Sequence, residues 1–148
     1  MKEIPDSEIF TEIILNIFKL NGLLLLEGDQ ITHEFGLTSA RWKVLGAIAL
    51  SPDLITVPKI ARNMGLSRQA VQRLVNELVA EKFLKFNDNP EHKRAKLLSL
   101  TKKGELIYSK LEKKQKPWAD TIAKSVDKKN LEICSEALIN LITKIESK

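Results

Sequence analysis

The stretch from Thr56 to Phe86, TVPKIARNMGLSRQAVQRLVNELVAEKFLKF, narrows the fold more than any other part of this chain. It reads as a short amphipathic helix, a tight turn and a second helix with one packed stripe and one polar face, the pattern of a helix-turn-helix. Thr56 is placed to cap the first helix, and Pro58 falls in its first turn, where a missing N–H does no harm. Gly65 supplies a left-handed helix end without a side-chain penalty, and Leu66 is expected to plug the space between the helices. Ser67 then caps the second helix, whose Ala70, Val71, Leu74, Val75 and Leu78 form one apolar stripe expected to pack on Ile60 and Ala61. Arg68, Gln69, Gln72, Arg73 and Asn76 are left on the other face.

The flanking sequence completes the order of elements. Pro5 and Asp6 open a first helix in which Ile9, Ile13, Ile14, Ile17, Phe18, Leu20 and Leu24 recur at spacings of three and four, predicting a broad buried face. A second helix starts at a Thr38 or Ser39 cap and ends before Ser51 and Pro52, and Leu54 to Thr56 make a short extended piece. After the helix-turn-helix, Phe83 to Asn87 and Ala95 to Leu100 are β-prone runs flanking the turn-rich Asp88-Asn89-Pro90-Glu91, which predicts a hairpin with a long tip. Thr101 caps a fifth helix, with a kink or break expected at Pro117, and Asp127 caps a last helix carrying Leu131, Cys134, Leu138, Leu141, Ile142 and Ile145. The expected fold is all-α with a small β-hairpin wing, in one domain of 148 residues.

Charge is concentrated where the motif lies. Between Ile55 and Gly104 there are eleven Lys or Arg against four acids, leaving thirteen and fifteen for the rest of the chain. A basic middle between near-neutral flanks is the footprint of a polyanion partner. In a helix-turn-helix the N-terminal end of the second helix enters the DNA major groove, where Arg reads guanine and Gln reads adenine through paired hydrogen bonds. Ser67, Arg68, Gln69, Gln72 and Arg73 are the candidates for that contact. Lys93, Arg94 and Lys96, on or beside the hairpin, are candidates for phosphate or minor-groove contact.

The segments LTSARWKVL (Leu37 to Leu45), ITVPKIARNMGLSRQAVQRLVNELV (Ile55 to Val79) and NPEHKRAKLLSLTKKG (Asn89 to Gly104) resemble the MarR family of winged-helix transcriptional regulators. The resemblance implies a symmetric homodimer held by helices from both termini, residues 1–36 and 105–148, around a DNA-binding lobe at 37–104. It also implies a repressor or, less often, an activator that reads a palindromic operator on double-stranded DNA and responds to a small-molecule effector. Phe18, Phe35, Trp42 and Leu111 are the candidate linings of an effector pocket. Two positions depart from the family pattern: Lys82 stands where Gly is usual after the recognition helix, and His92 stands where an Asp usually orients the wing Arg.

Other chemistry finds little support in the sequence. No nucleophile motif, Gly-rich phosphate loop or pair of catalytic carboxylates is present, so the chain is read as no enzyme and as needing no cofactor. Cys134 falls on an apolar stripe and is expected to be a buried packing residue. Glu27, Asp29, His33 and Glu34 are read as a solvated loop rather than a metal site. No uninterrupted apolar run exceeds four residues, as at Leu23 to Leu26, and the N-terminus lacks a signal-peptide layout, so a cytoplasmic protein without membrane spans is expected. The competing function is a winged-helix protein-interaction module, which need not keep a basic polar recognition face.

Overall fold

Helix α1 covers Asp6–Thr32, opened by Pro5 and followed by a 3-10 turn at His33–Phe35. The computed structural model describes residues 2–148, and they form two compact units, one ending at Leu111 and the other spanning Glu112–Lys148. In the first unit α1 is followed by α2 (Ser39–Ala49), β1 (Ile55–Thr56), α3 (Val57–Met64), α4 (Arg68–Ala80), β2 (Leu84–Asn87), β3 (Leu97–Leu100) and the start of α5 (Lys102–Ala123). The second holds the rest of α5 and α6 (Lys128–Glu146).

The helix ends fall where side chains can satisfy orphan backbone groups. Thr38 Oγ1 accepts from the Arg41 N–H (3.2 Å) and Ser67 Oγ from the Ala70 N–H (3.1 Å). Thr56 and Asp127 occupy cap positions without such a bond. Gly65 closes α3 with φ +65°, and the Leu66 N–H reaches back to the Ala61 carbonyl at 3.0 Å. Leu66 itself is 38% exposed, so the expected plug is absent; the interhelix space is closed instead by buried Ile60, Ala61, Val71 and Leu74.

The core of this unit joins Val44, Leu45 and Ile48 of α2 to those residues, to Val75 and Leu78 of α4, and to Ile55, Leu84 and Leu98 of the sheet. Each such aliphatic side chain contributes about 1.5–3 kcal/mol by leaving water. The hairpin expected from sequence is one part of a three-stranded antiparallel sheet in the order β1-β3-β2. Ile55 pairs with Leu98, and on the other side Leu84, Lys85 and Phe86 pair with Leu100, Ser99 and Leu98. Thr101 ties the start of α5 to the exit of α4. Its hydroxyl donates to the Lys82 carbonyl (2.6 Å) and accepts from the Gly104 N–H (3.0 Å), while its own N–H donates to the Phe83 carbonyl (3.1 Å). Gly104 is buried against that carbonyl, with no room for a Cβ.

Several expectations change. The apolar residues of α1 are open rather than buried: Ile9, Ile13, Ile17, Phe18, Leu20 and Leu24 are between 38% and 68% exposed. By length and composition this helix could also cross a membrane, because single polar residues break its apolar runs without lowering its average. The stretch holding Glu27, Asp29, His33 and Glu34 is helical rather than a loop, and Asp29 Oδ1 accepts from the Ser39 N–H (2.8 Å). Cys134 is exposed, since every residue of α6 except Leu141 is open to solvent. Helix α5 runs unbroken through Pro117.

Candidate nucleic-acid interface

Helix α4 begins after its cap Ser67, whose hydroxyl accepts from the Ala70 N–H, and exposed Arg68 and Gln69 lie in its first turn. Such a helix end favours an anion. One turn on, Gln72 lies on the same face. These three side chains meet the wing across an open groove of about 540 Å³, lined also by Val57 and Pro58 of α3, Phe86 of β2, and His92, Arg94, Ala95 and Lys96. Its charged groups are all basic, and its floor is apolar. Of the eight residues the sequence singles out for DNA, five line this groove: Arg68, Gln69, Gln72, Arg94 and Lys96.

The other three sit apart. Ser67 acts as the cap. Lys93 is exposed at the wing tip, outside the groove lining. Arg73 lies on the side of α4 towards α2, lining a second groove with Asp29, Thr38, Arg41 and Glu77. Its guanidinium is 3.3 Å from Glu77, whose other oxygen takes the Arg41 Nε at 3.2 Å, while Arg41 Nη1 donates to Glu81 at 2.7 Å. Burial opposes the Arg41 charge, but the hydrogen bonds and charges of Glu81 and Glu77 outweigh it and raise its pKa. Arg41 therefore braces α2 against the outer face of α4.

The wing tip is held by its own backbone. Asn89 Nδ2 donates to the Ala95 carbonyl (2.9 Å), Asn89 Oδ1 accepts from the Glu91 N–H (3.1 Å), and the Ala95 N–H reaches the His92 carbonyl (3.3 Å). Lys96 donates to Asp88 (2.7 Å), and this bond, with the lysine's charge, holds the Asp88 carboxyl below the usual carboxylate range. Lys96 thus enters the groove partly neutralised. Phe86 and His92 are groove residues that the sequence did not single out for DNA. Phe86 follows buried Leu84 on one face of β2, so its alternation reads as core.

The sequence-proposed effector residues do not converge on any of the grooves described. Phe18 is 68% exposed on α1, Leu111 is fully buried, and Phe35 and Trp42 are half-buried. Among the described residues no three His, Cys, Asp or Glu side chains are placed to hold a metal ion.

A short helix, a glycine-closed turn, a capped second helix and a basic β wing define a winged helix-turn-helix protein. The chain belongs to the MarR family, whose model matches residues 35–95. The uncharacterized protein Rv2011c of Mycobacterium tuberculosis is 30% identical over 141 residues, which cover 95% of this chain and 97% of that one. A MarR/EmrR family transcriptional regulator from Acinetobacter sp. ADP1 shares the fold with a TM-score of 0.83 at 22% identity, over 95% of this chain and 99% of that one. The MepR–DNA complex from S. aureus shares it with a TM-score of 0.73 at 19% identity, over 96% and 99%.

Proposed function

We propose that this chain is a DNA-binding transcriptional regulator: a two-fold dimer that inserts the start of α4 into the major groove at each half of a palindromic operator. It represses, and a small-molecule effector releases it. The observation that carries the DNA reading is the groove between α4 and the wing, which brings Arg68, Gln69 and Gln72 together with Arg94 and Lys96 and lines its charged walls with cations alone. Paired donors on a helix start suit base edges, and cations on a β ribbon suit the backbone beside them. MepR, the relative in complex with DNA, supports the same use of the fold.

The test is a binding titration on duplex DNA over a range of salt concentrations, followed by sequencing of the fragments that the purified chain retains. Affinity should fall steeply with salt, and the retained fragments should share an inverted repeat. Salt-insensitive or absent binding would replace this reading with the protein-interaction module.

A further inference from the structure

We propose that His92 is a proton-linked DNA contact, so that the affinity of this chain for DNA rises as pH falls through the titration range of histidine. The inference rests on the DNA-binding reading of the same groove and adds a residue and a regulation to it. His92 is exposed and lines the groove from the wing side, opposite Arg68, Gln69 and Gln72 of α4. Its position is fixed by the backbone of the tip, where its N–H donates to the Asn89 carbonyl (3.2 Å) and its own carbonyl accepts from Ala95 (3.3 Å). The backbone that carries the imidazole is therefore fixed at the groove's edge, within reach of a polyanion seated there.

The charged groups around it are settled by the same geometry. Helix α4 offers Arg68, the wing offers Arg94 and Lys96, and α3 and β2 offer only Val57, Pro58 and Phe86. Asp88 is taken by Lys96, and Glu91 and Lys93 flank His92 in sequence without lining the groove. No carboxylate shares the groove lining with His92, so the anion that best accepts its proton-bearing ring is one brought from outside. Histidine alone among ordinary side chains changes charge between pH 5 and 8. A nearby phosphate favours its charged form, and by linkage the charged form favours the phosphate. One added phosphate contact is worth about eightfold in affinity near 0.1 M salt.

The test uses the full chain and a rhodamine-labelled, mixed-sequence duplex of about 30 base pairs, long enough for two half-sites a helical turn apart. Anisotropy titrations run from pH 8.0 to 5.5 at fixed ionic strength on the wild type, His92→Gln and His33→Gln, with folding checked by melting at each pH. Wild type and His33→Gln should tighten by roughly three- to eightfold per subunit engaged as pH falls. His92→Gln should stay flat across the range, whatever its affinity at pH 8.0, because the amide carries no charge at any of these pH values. Carboxylates ordinarily titrate below this window. Equal pH dependence in wild type and His92→Gln would overturn the proposal while leaving DNA binding intact. No binding at any pH in low salt would overturn both.

Discussion

Lys82 stands at φ +66°, alone among the described non-glycine residues in having a positive φ. It occupies the turn that ends α4, where the Phe83 N–H returns to the Leu78 carbonyl (2.9 Å) and the Lys82 N–H to the Val79 carbonyl (3.0 Å), the paired bonds of a Schellman end. A side chain in this region costs about 1–2 kcal/mol, and glycine recovers it less the entropy that glycine adds to the unfolded chain. Lys82→Gly should therefore raise stability by roughly 0.5–1 kcal/mol, and Lys82→Val should lower it by about as much or more. Urea unfolding at fixed protein concentration reads both, as shifts in midpoint at constant slope. A glycine variant no more stable than the wild type would mean that the turn is relaxed around lysine. The sequence flagged this position by its departure from the family pattern. It did not show that the backbone keeps the glycine conformation without the glycine. The reason is local: Thr101 holds the Lys82 carbonyl, and buried Phe83 fixes the next residue.

Within α4 the polar face divides. Gln69 looks into the groove with the wing, whereas Arg73 leans towards α2 and Glu77. An exposed pair of this kind is worth at most about 1 kcal/mol, so it sets the resting direction of Arg73 without locking it there. Gln69→Ala should cost roughly 1–3 kcal/mol on the preferred operator, much less on mixed-sequence DNA, and relax the preference at one or two base pairs per half-site. Arg73→Ala should weaken both DNAs alike, as removal of a phosphate partner does. Competition binding at fixed salt separates these, and a uniform loss for Gln69→Ala would remove it as a reader. On the wing, replacing Lys93 and Arg94 by Ala should reduce the slope of log affinity against log salt by about 0.9 for each phosphate no longer neutralised. An unchanged slope would place the wing away from DNA. The caps at Thr38 and Ser67 and the glycine end at Gly65 were legible because each is set by one or two neighbouring residues. The pairing of the short extended piece at Ile55–Thr56 into the sheet, the groove side of Phe86 and the entry of His92 into the groove were not. Two residues of β1 are too few to show a period, and the other two depend on how the connection between β2 and β3 closes on itself through Asn89.

At the scale of the molecule, what stands out is exposed apolar surface on one helix of each unit. On α1, Ile9, Ile13, Ile17, Leu20 and Leu24 fall on one stripe, and Leu15, Phe18 and Leu26 on the far side are at least 62% exposed. On α6, Ile133, Ile139, Ile142 and Ile145 are each more than half exposed. A helix apolar nearly all round belongs inside a larger assembly or in a bilayer. Glu8, Glu12 and Lys19 lie on one polar stripe of α1, and Glu12 and Lys19 would stand at hydrocarbon depth if the helix spanned, at a cost of several kcal/mol. An assembly of protein helices can leave that stripe in water, so a second copy of the chain is the better cover. Light scattering at micromolar concentration, in low salt and without ligand, should give twice the 16.8 kDa chain mass. Ile17→Glu with Leu24→Glu puts two charges on the stripe and should yield the single-chain mass. It should also lose most operator affinity, because two linked readers gain about a hundredfold or more over one. If the wild type is already a clean monomer, both the dimer and the palindromic operator fall. If it floats with phospholipid vesicles and the double variant does not, the stripe faces lipid, and Glu12 and Lys19 do not keep α1 out of the bilayer.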